Sequence, residues 1–132
     1  MQIRNRIFRH VIAAFVVVGI IAAVQNRPFI AYRKFSDLQW LQTATAEEQR
    51  ETAHQALGFW FGDPHDVFVT LNYVGDESSI PYLEKALFFA PGPNEEFVMC
   101  TWQHGRDALA RLIAEKEAKL KQAPNAAPPT NE

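Results

Sequence analysis

The 132-residue chain predicts an all-α protein in which an N-terminal membrane or signal helix precedes a small helical body. Three observations carry this expectation. Residues 1–34 hold six Arg or Lys, no acid, and an unbroken apolar run from Val11 to Val24. From Ser36 onward, apolar residues recur at intervals of three and four between capping sequences, which is the spacing of one helix face. No segment of the body sustains the polar/apolar alternation that a half-buried strand needs. Charge divides the chain at the same place. The other 98 residues carry all 15 Asp and Glu against seven Lys and Arg, a net charge of −8.

The leader reads as a basic tail over residues 1–10 and a transmembrane anchor or signal segment over residues 11–27. The 14 residues of the apolar run are short for a hydrocarbon layer of about 30 Å, which takes about 20 helical residues, and they suit the apolar region of a secretory signal. Ile21 lies three residues before a cleavage point after Ala23, where a small residue is preferred. Ile7 and Phe8 lengthen the run, Arg9 can snorkel outward, and Phe29 and Tyr32 suit the membrane interface. The expectation is a single-pass anchor, with a secreted or periplasmic product after signal cleavage as the alternative. Arg4, Arg6 and Arg9 before the run nearly balance Arg27, Arg33 and Lys34 after it. The short N-terminal tail, with its free amine, places the N-terminus in the cytoplasm and the body on the non-cytoplasmic side.

Residues 35–120 are expected to form one helical domain, large enough for a single core and too small for two. Ser36 with Gln39 makes a capping box for a short helix carrying Leu38, Trp40 and Leu41. Thr45 with Glu48 makes another, opening a helix with Ala53, Ala56, Leu57 and Trp60 along one stripe and Gly58 near its end. Gly62, Asp63 and Pro64 read as stop, N-cap and first-turn proline. Val67, Phe68, Leu71 and Val74 then line one face of a third helix, which Gly75 stops. Asp76 and the two serines after it start a fourth helix, with Ile80, Leu83 and Leu87 on one side and Pro81 tolerated close to the first turn. The stretch from Ala90 to Asn94 cannot continue a helix. Asn94 caps the longest one, from Glu95 to about Leu120, whose acidic first turn and basic Lys116, Lys119 and Lys121 match the helix dipole. Residues 121–132 are expected to be a disordered tail.

The stretch from Gly75 and Asp76 through Ile80, Pro81, Leu83 and Leu87, followed after a gap by His104 to Leu112, resembles one HEAT-type helical repeat. In that family a glycine–aspartate corner starts the first helix, an isoleucine–proline pair and leucines pack inward, and the second helix ends in alanine–leucine. Arg50 to Gly58 resembles the second helix of a preceding repeat, and Gly62, Asp63 and Pro64 resemble another corner. The resemblance covers roughly residues 45–114 and implies a short right-handed α-α superhelix of one to two repeats. Two departures stand out. The alanine–leucine endings at Ala56 and Ala108 lie 52 residues apart, beyond the usual repeat length of about 30–47, with an extra helix at 64–74 between them. Gly105 also stands where the family prefers alanine.

A body this acidic repels phosphate backbones and has no cationic patch, so nucleic acid is not an expected partner. A single cysteine, Cys100, excludes an intrachain disulfide. The chain lacks a glycine-rich phosphate loop, a Gly-x-Ser-x-Gly elbow and a two-histidine zinc helix, so neither an enzyme nor a cofactor is expected. Asp63, His65 and Asp66, with His54 upstream and His104 and Asp107 as further candidates, are the dense group of potential metal ligands. They carry the alternative of a small exported metal-dependent hydrolase. The simpler reading has Asp63 capping, Asp66 completing the first turn and His65 facing solvent. Cys100 and His104, four apart on one helix face, suit a thiolate and its base or two metal ligands; core packing is the simpler reading. Arg106, Asp107 and Arg111 read as a solvated face, with Glu115 four residues after Arg111.

The HEAT-like resemblance implies that the body binds another protein. The function expected is therefore a membrane-tethered interaction module, an adaptor or scaffold without catalysis, docking through aromatic residues at helix ends: Trp60, Phe61, Phe88, Phe89 and Trp102. A further alternative is an accessory subunit of a membrane complex, packing through Gly19 and the alanines at 13, 14, 22 and 23.

Overall fold

The computed structural model describes residues 2–88, 90 and 100–122, with side chains from Phe8 onward. Among these residues every regular element is helical: α1 (Gln2–Lys34), α2 (Leu38–Thr43), α3 (Ala46–Ala56), α4 (His65–Val74), a 3-10 turn (Glu77–Ser79), α5 (Ile80–Leu87) and α6 (Cys100–Gln122). The expected cap at Asn94, residues 95–99 and the tail from 123 lie outside the described residues.

Helix α1 passes through Pro28 without ending, although an interior proline removes one backbone bond and crowds the preceding turn. Contacts with the body flank the proline on both sides. Gln25, 6% exposed, donates from Nε2 to Gly58 O (3.2 Å) and accepts at Oε1 from Trp60 N (2.9 Å). One turn beyond Pro28, Tyr32 donates its hydroxyl to Asp63 O (3.0 Å). The rings of Phe29 and Tyr32 lie 5.3 and 5.1 Å from that of Phe59, and Ala31 and Phe35 are buried in the core. The body's packing thus draws on α1 from Gln25 onward.

Every described residue of α1 from Phe8 to Val24 is exposed. Beyond Val24 one face, with Gln25, Phe29 and Tyr32, meets the body, while Ile30 on another stays open. Residues 8–24 span roughly 25 Å, and continuing to Ile30 along the open face adds about 9 Å. These lengths bracket the ~30 Å of hydrocarbon in a bilayer. Among the described residues, α1 alone is long and apolar enough to cross a membrane.

Side-chain caps open α2, α3 and the 3-10 turn, whereas α4 starts after Pro64 without one, so Asp63 is not its N-cap as expected. Two further expected elements are corrected. Asp37, not Ser36, caps α2: its Oδ1 accepts from Gln39 N (3.0 Å) and Trp40 N (3.2 Å). Ser36 and Asp37 both donate their N–H groups to the closing turn of α1, to Arg33 O (3.2 Å) and Lys34 O (3.0 Å), and the cap falls to Asp37, directly before the first residue of α2. The Thr45–Glu48 capping box forms as expected, but α3 ends at Ala56, so Gly58 and Trp60 fall outside it. The end tightens through Gly58 N to Gln55 O (3.1 Å) and Phe59 N to Ala56 O (2.9 Å), and Gln25 then satisfies Gly58 O and Trp60 N. That exchange takes Trp60 off the expected stripe and leaves it 67% exposed.

In α4, Val67, Phe68 and Leu71 are buried as the spacing predicts. Helix α4 packs on both α3 and α6, while α1 packs on α3 and α5 packs on α6. The helix that stands as an insertion in the repeat resemblance is therefore the middle of the body. Its contact with α6 explains Gly105. A Cβ there would lie 3.0 Å from Leu87 Cδ2 and 3.1 Å from the fully buried Phe68 ring, so glycine gives the two helices their separation. Arg111 also departs from expectation. It pairs with Glu115 (2.6 Å), but its Nη2 donates to Leu71 O (3.3 Å) and Gly75 O (3.2 Å), covering carbonyls at the end of α4.

Between α3 and α5, Arg50 pairs with Asp76 (2.8 Å). His54 Nε2 lies 2.8 Å from Ser79 Oγ, and its ring stacks on Tyr82 at 4.2 Å. Burial lowers the His54 pKa below its usual 6.5. The Ser78 hydroxyl is the main cause lowering the Asp76 pKa, with Arg50 adding to it.

Candidate functional site

Where α1 leaves its exposed apolar stretch, a groove of about 660 Å³ opens between it and the body. Val24, Gln25 and Pro28 of α1 form one wall, and the turn from Leu57 to Pro64 forms the floor with Trp60. Tyr82, Lys85 and Ala86 of α5 and Trp102 of α6 close the far side. The lining is mainly apolar, and Lys85 carries its one fixed charge. Gly62 is required in this turn by close approach, because a Cβ there would come within 2.5 Å of the Tyr32 ring.

Of the five aromatic residues expected to form a contact surface, the structure brings Trp60 and Trp102 to this groove. Trp102 is half-buried and also contacts the Phe68 ring at 6.0 Å, so it belongs partly to the core. Phe61, 71% exposed, lies next to the turn with its ring 6.0 Å from Phe59. Phe88, 77% exposed, lies just after α5. Phe89 lies outside the described residues. Sequence reasoning missed Gln25, Pro28 and Tyr82 as wall residues. The two amides directly after the apolar run, Gln25 and Asn26, were the available signal.

A second arrangement lies where α4 meets α6. His65 opens α4, and Cys100 and His104 lie four apart on α6; one ligand-capable atom from each falls within 4.8 Å of the others. The two imidazoles meet edge to face at 5.0 Å. His65 Nδ1 lies 2.9 Å from Asp66 Oδ1. Asp63 sets the position of both helices, since its Oδ1 accepts from His65 N (3.1 Å) and from the buried Thr101 hydroxyl (2.9 Å).

This corrects three expectations. Cys100 is exposed and not packed in the core. His65 faces Cys100 and His104 and is only partly open to solvent. The suggested ligand set of His54, Asp63, His65 and Asp66 is not gathered: His54 is engaged by Ser79 and Tyr82, and Asp63 Oδ1 accepts from His65 N and ties α4 to α6. Asp107 instead accepts from Gln103 (2.8 Å) on its own helix.

Comparison of the chain with protein-family models, with curated proteins and with solved structures finds no match.

Proposed function

We propose that this chain is a membrane-tethered protein–protein interaction module, a HEAT-like adaptor without catalysis, that docks a partner in the groove at the foot of its membrane helix. One observation carries the reading: α1 supplies both the long exposed apolar stretch and one wall of the groove that holds Trp60 and Trp102. A segment seated there lies at the membrane surface. The occupant is an apolar helical segment of another protein in the same membrane, which suits the mainly apolar lining of the groove. Buried aromatic anchors at the centre of an interface carry most of its energy, and Trp60 is the open one here.

The HEAT-like reading rests on two consecutive hairpins, α3–α4 and α5–α6, joined by α4 against α6 and by the Arg50–Asp76 and His54–Ser79 links. The α5–α6 hairpin keeps the pairing the sequence resemblance implies, while α3 is taken here as the first helix of its hairpin, where that resemblance has it as a second helix. The retained anchor is part of this proposal; the contacts of Gln25 and Ala31, and of Phe35 just after the helix, lie downstream of the Ala23 cleavage point and are the same in either case. Its N-terminus lies in the cytoplasm and the body outside it.

Affinity purification of the full chain from intact membranes tests the proposal. A specific protein partner is expected with the wild type. Trp60→Ala is expected to weaken its binding about 30-fold, the equivalent of a 2 kcal/mol anchor, while the chain stays inserted and helical. Equal recovery by wild type and variant, or no specific partner at all, contradicts the proposal.

A further inference from the structure

We propose that His65, Cys100 and His104 bind one tetrahedral divalent metal ion of the zinc class, with Asp66 as the outer carboxylate that orients His65. Two imidazoles and a thiolate form a donor set that Zn²⁺, a borderline-soft ion without geometric preference of its own, accepts well. In a tetrahedral zinc site, bond lengths of about 2.0–2.3 Å put neighbouring donor atoms roughly 3.3–3.7 Å apart. The three donors here already lie within 4.8 Å of one another, so small side-chain rotations close the site. The spacing of Cys100 and His104 places both on one face of α6.

The surroundings are arranged for ligation. With Nδ1 of His65 engaged by Asp66 at 2.9 Å, Nε2 is left as the nitrogen free to bind a cation. A carboxylate on the far nitrogen of a metal-bound histidine fixes its tautomer and strengthens it as a ligand. Asp63 holds the first residue of α4 and Thr101, the neighbour of Cys100, through the same carboxylate oxygen, so the two helices are held at the level of the site without the ion. The Asp63 and Asp66 carboxylates and the thiolate offset the positive end of α4, which alone would oppose a cation. Exposure of Cys100 gives the ion an entry path and leaves a fourth position for water. His54, used elsewhere, takes no part.

The test is a titration of the full chain, purified in detergent under reducing conditions and stripped with chelator, using Co²⁺ as the spectroscopic probe and Zn²⁺ as competitor. One equivalent of Co²⁺ is expected to give the intense visible bands of four-coordination and a thiolate-to-cobalt charge-transfer band, with Zn²⁺ displacing it. Cys100→Ser, an exposed position whose folding circular dichroism verifies, is expected to abolish the charge-transfer band. His104→Ala and His65→Ala are each expected to weaken Co²⁺ binding at least about 100-fold, and Asp66→Ala about 10- to 100-fold. His10→Gln, on the exposed part of α1, is expected to change nothing. Absence of saturable Co²⁺ binding overturns the proposal, as does a charge-transfer band that survives in Cys100→Ser or binding unaltered by His65→Ala.

Discussion

Replacing Gln25 by leucine sets two roles of that residue against each other. As a mere headgroup-zone residue at the end of an apolar run, it would be improved upon by leucine, which extends the run and favours insertion. As the clamp between α1 and the turn after α3, it is not replaceable. Its amide makes two bonds, to Gly58 O at 3.2 Å and from Trp60 N at 2.9 Å, and leucine leaves both backbone groups without their partner. A lost partner costs about 1–3 kcal/mol for a fully buried group. These bonds are partly buried, which sets each near the lower end, for a total of about 2 kcal/mol. Leucine's own packing returns part of this, so a net loss of about 1–2 kcal/mol is expected. For a body of this size each kcal/mol moves Tm by about 4–8 °C, so thermal unfolding of the detergent-solubilised chain is expected to fall by about 5–15 °C. Amide exchange across residues 57–62 is expected to accelerate more than exchange in α6. An unchanged or raised Tm with unaltered exchange in that turn would refute the clamp, and with it the rigid joint between anchor and groove.

Gly105→Ala is expected to destabilise the body by about 1 kcal/mol in chemical denaturation. Overpacking against Phe68 and Leu87 costs about 1–3 kcal/mol and outweighs the ~1 kcal/mol that alanine gains in helix propensity; net stabilisation would show that α6 has room to move. His54 gives a pH dependence. Its folded pKa lies below 6.5 because burial disfavours the charged ring, so the unfolded chain binds the proton first. Its contribution is complete above pH 6.5 and is lost as pH falls through 6.5 towards the lowered folded value; the slope of stability against pH in that window is expected to flatten in His54→Gln, and an equal slope contradicts the assignment. A topology reporter fused after Glu132 is expected to read non-cytoplasmic, and cytoplasmic activity reverses the orientation proposed.

Local signals predicted the helices well because caps and periodic apolar faces are local. Thr45 with Glu48, Gly75 with Asp76, and the stripe of Val67, Phe68 and Leu71 all lie within a few residues of the structure they make. Failures arose where a distant contact chose between nearby options. The expected segment stops at residue 27, yet α1 runs on through Pro28, and Gln25 and Tyr32 on either side of it are bonded to residues more than thirty positions away. Trp60 fits the stripe of α3 by spacing and leaves it once Gln25 takes its N–H. The candidate sites were half legible for the same reason. Trp60 and Trp102 could be picked as large rings beside helix ends, and Cys100 and His104 by their spacing. Nothing local pairs them with Val24 or His65, since that depends on how α1 and α4 pack, which periodicity does not specify.

Site-specific photocrosslinking from position 60, in intact membranes carrying the full chain, tests most directly whether the groove docks another membrane protein. A single protein adduct is expected from position 60, and none from exposed position 120 near the far end of α6. Adducts with lipid alone, or equal protein adducts from both positions, would contradict a docking groove at the foot of the membrane helix.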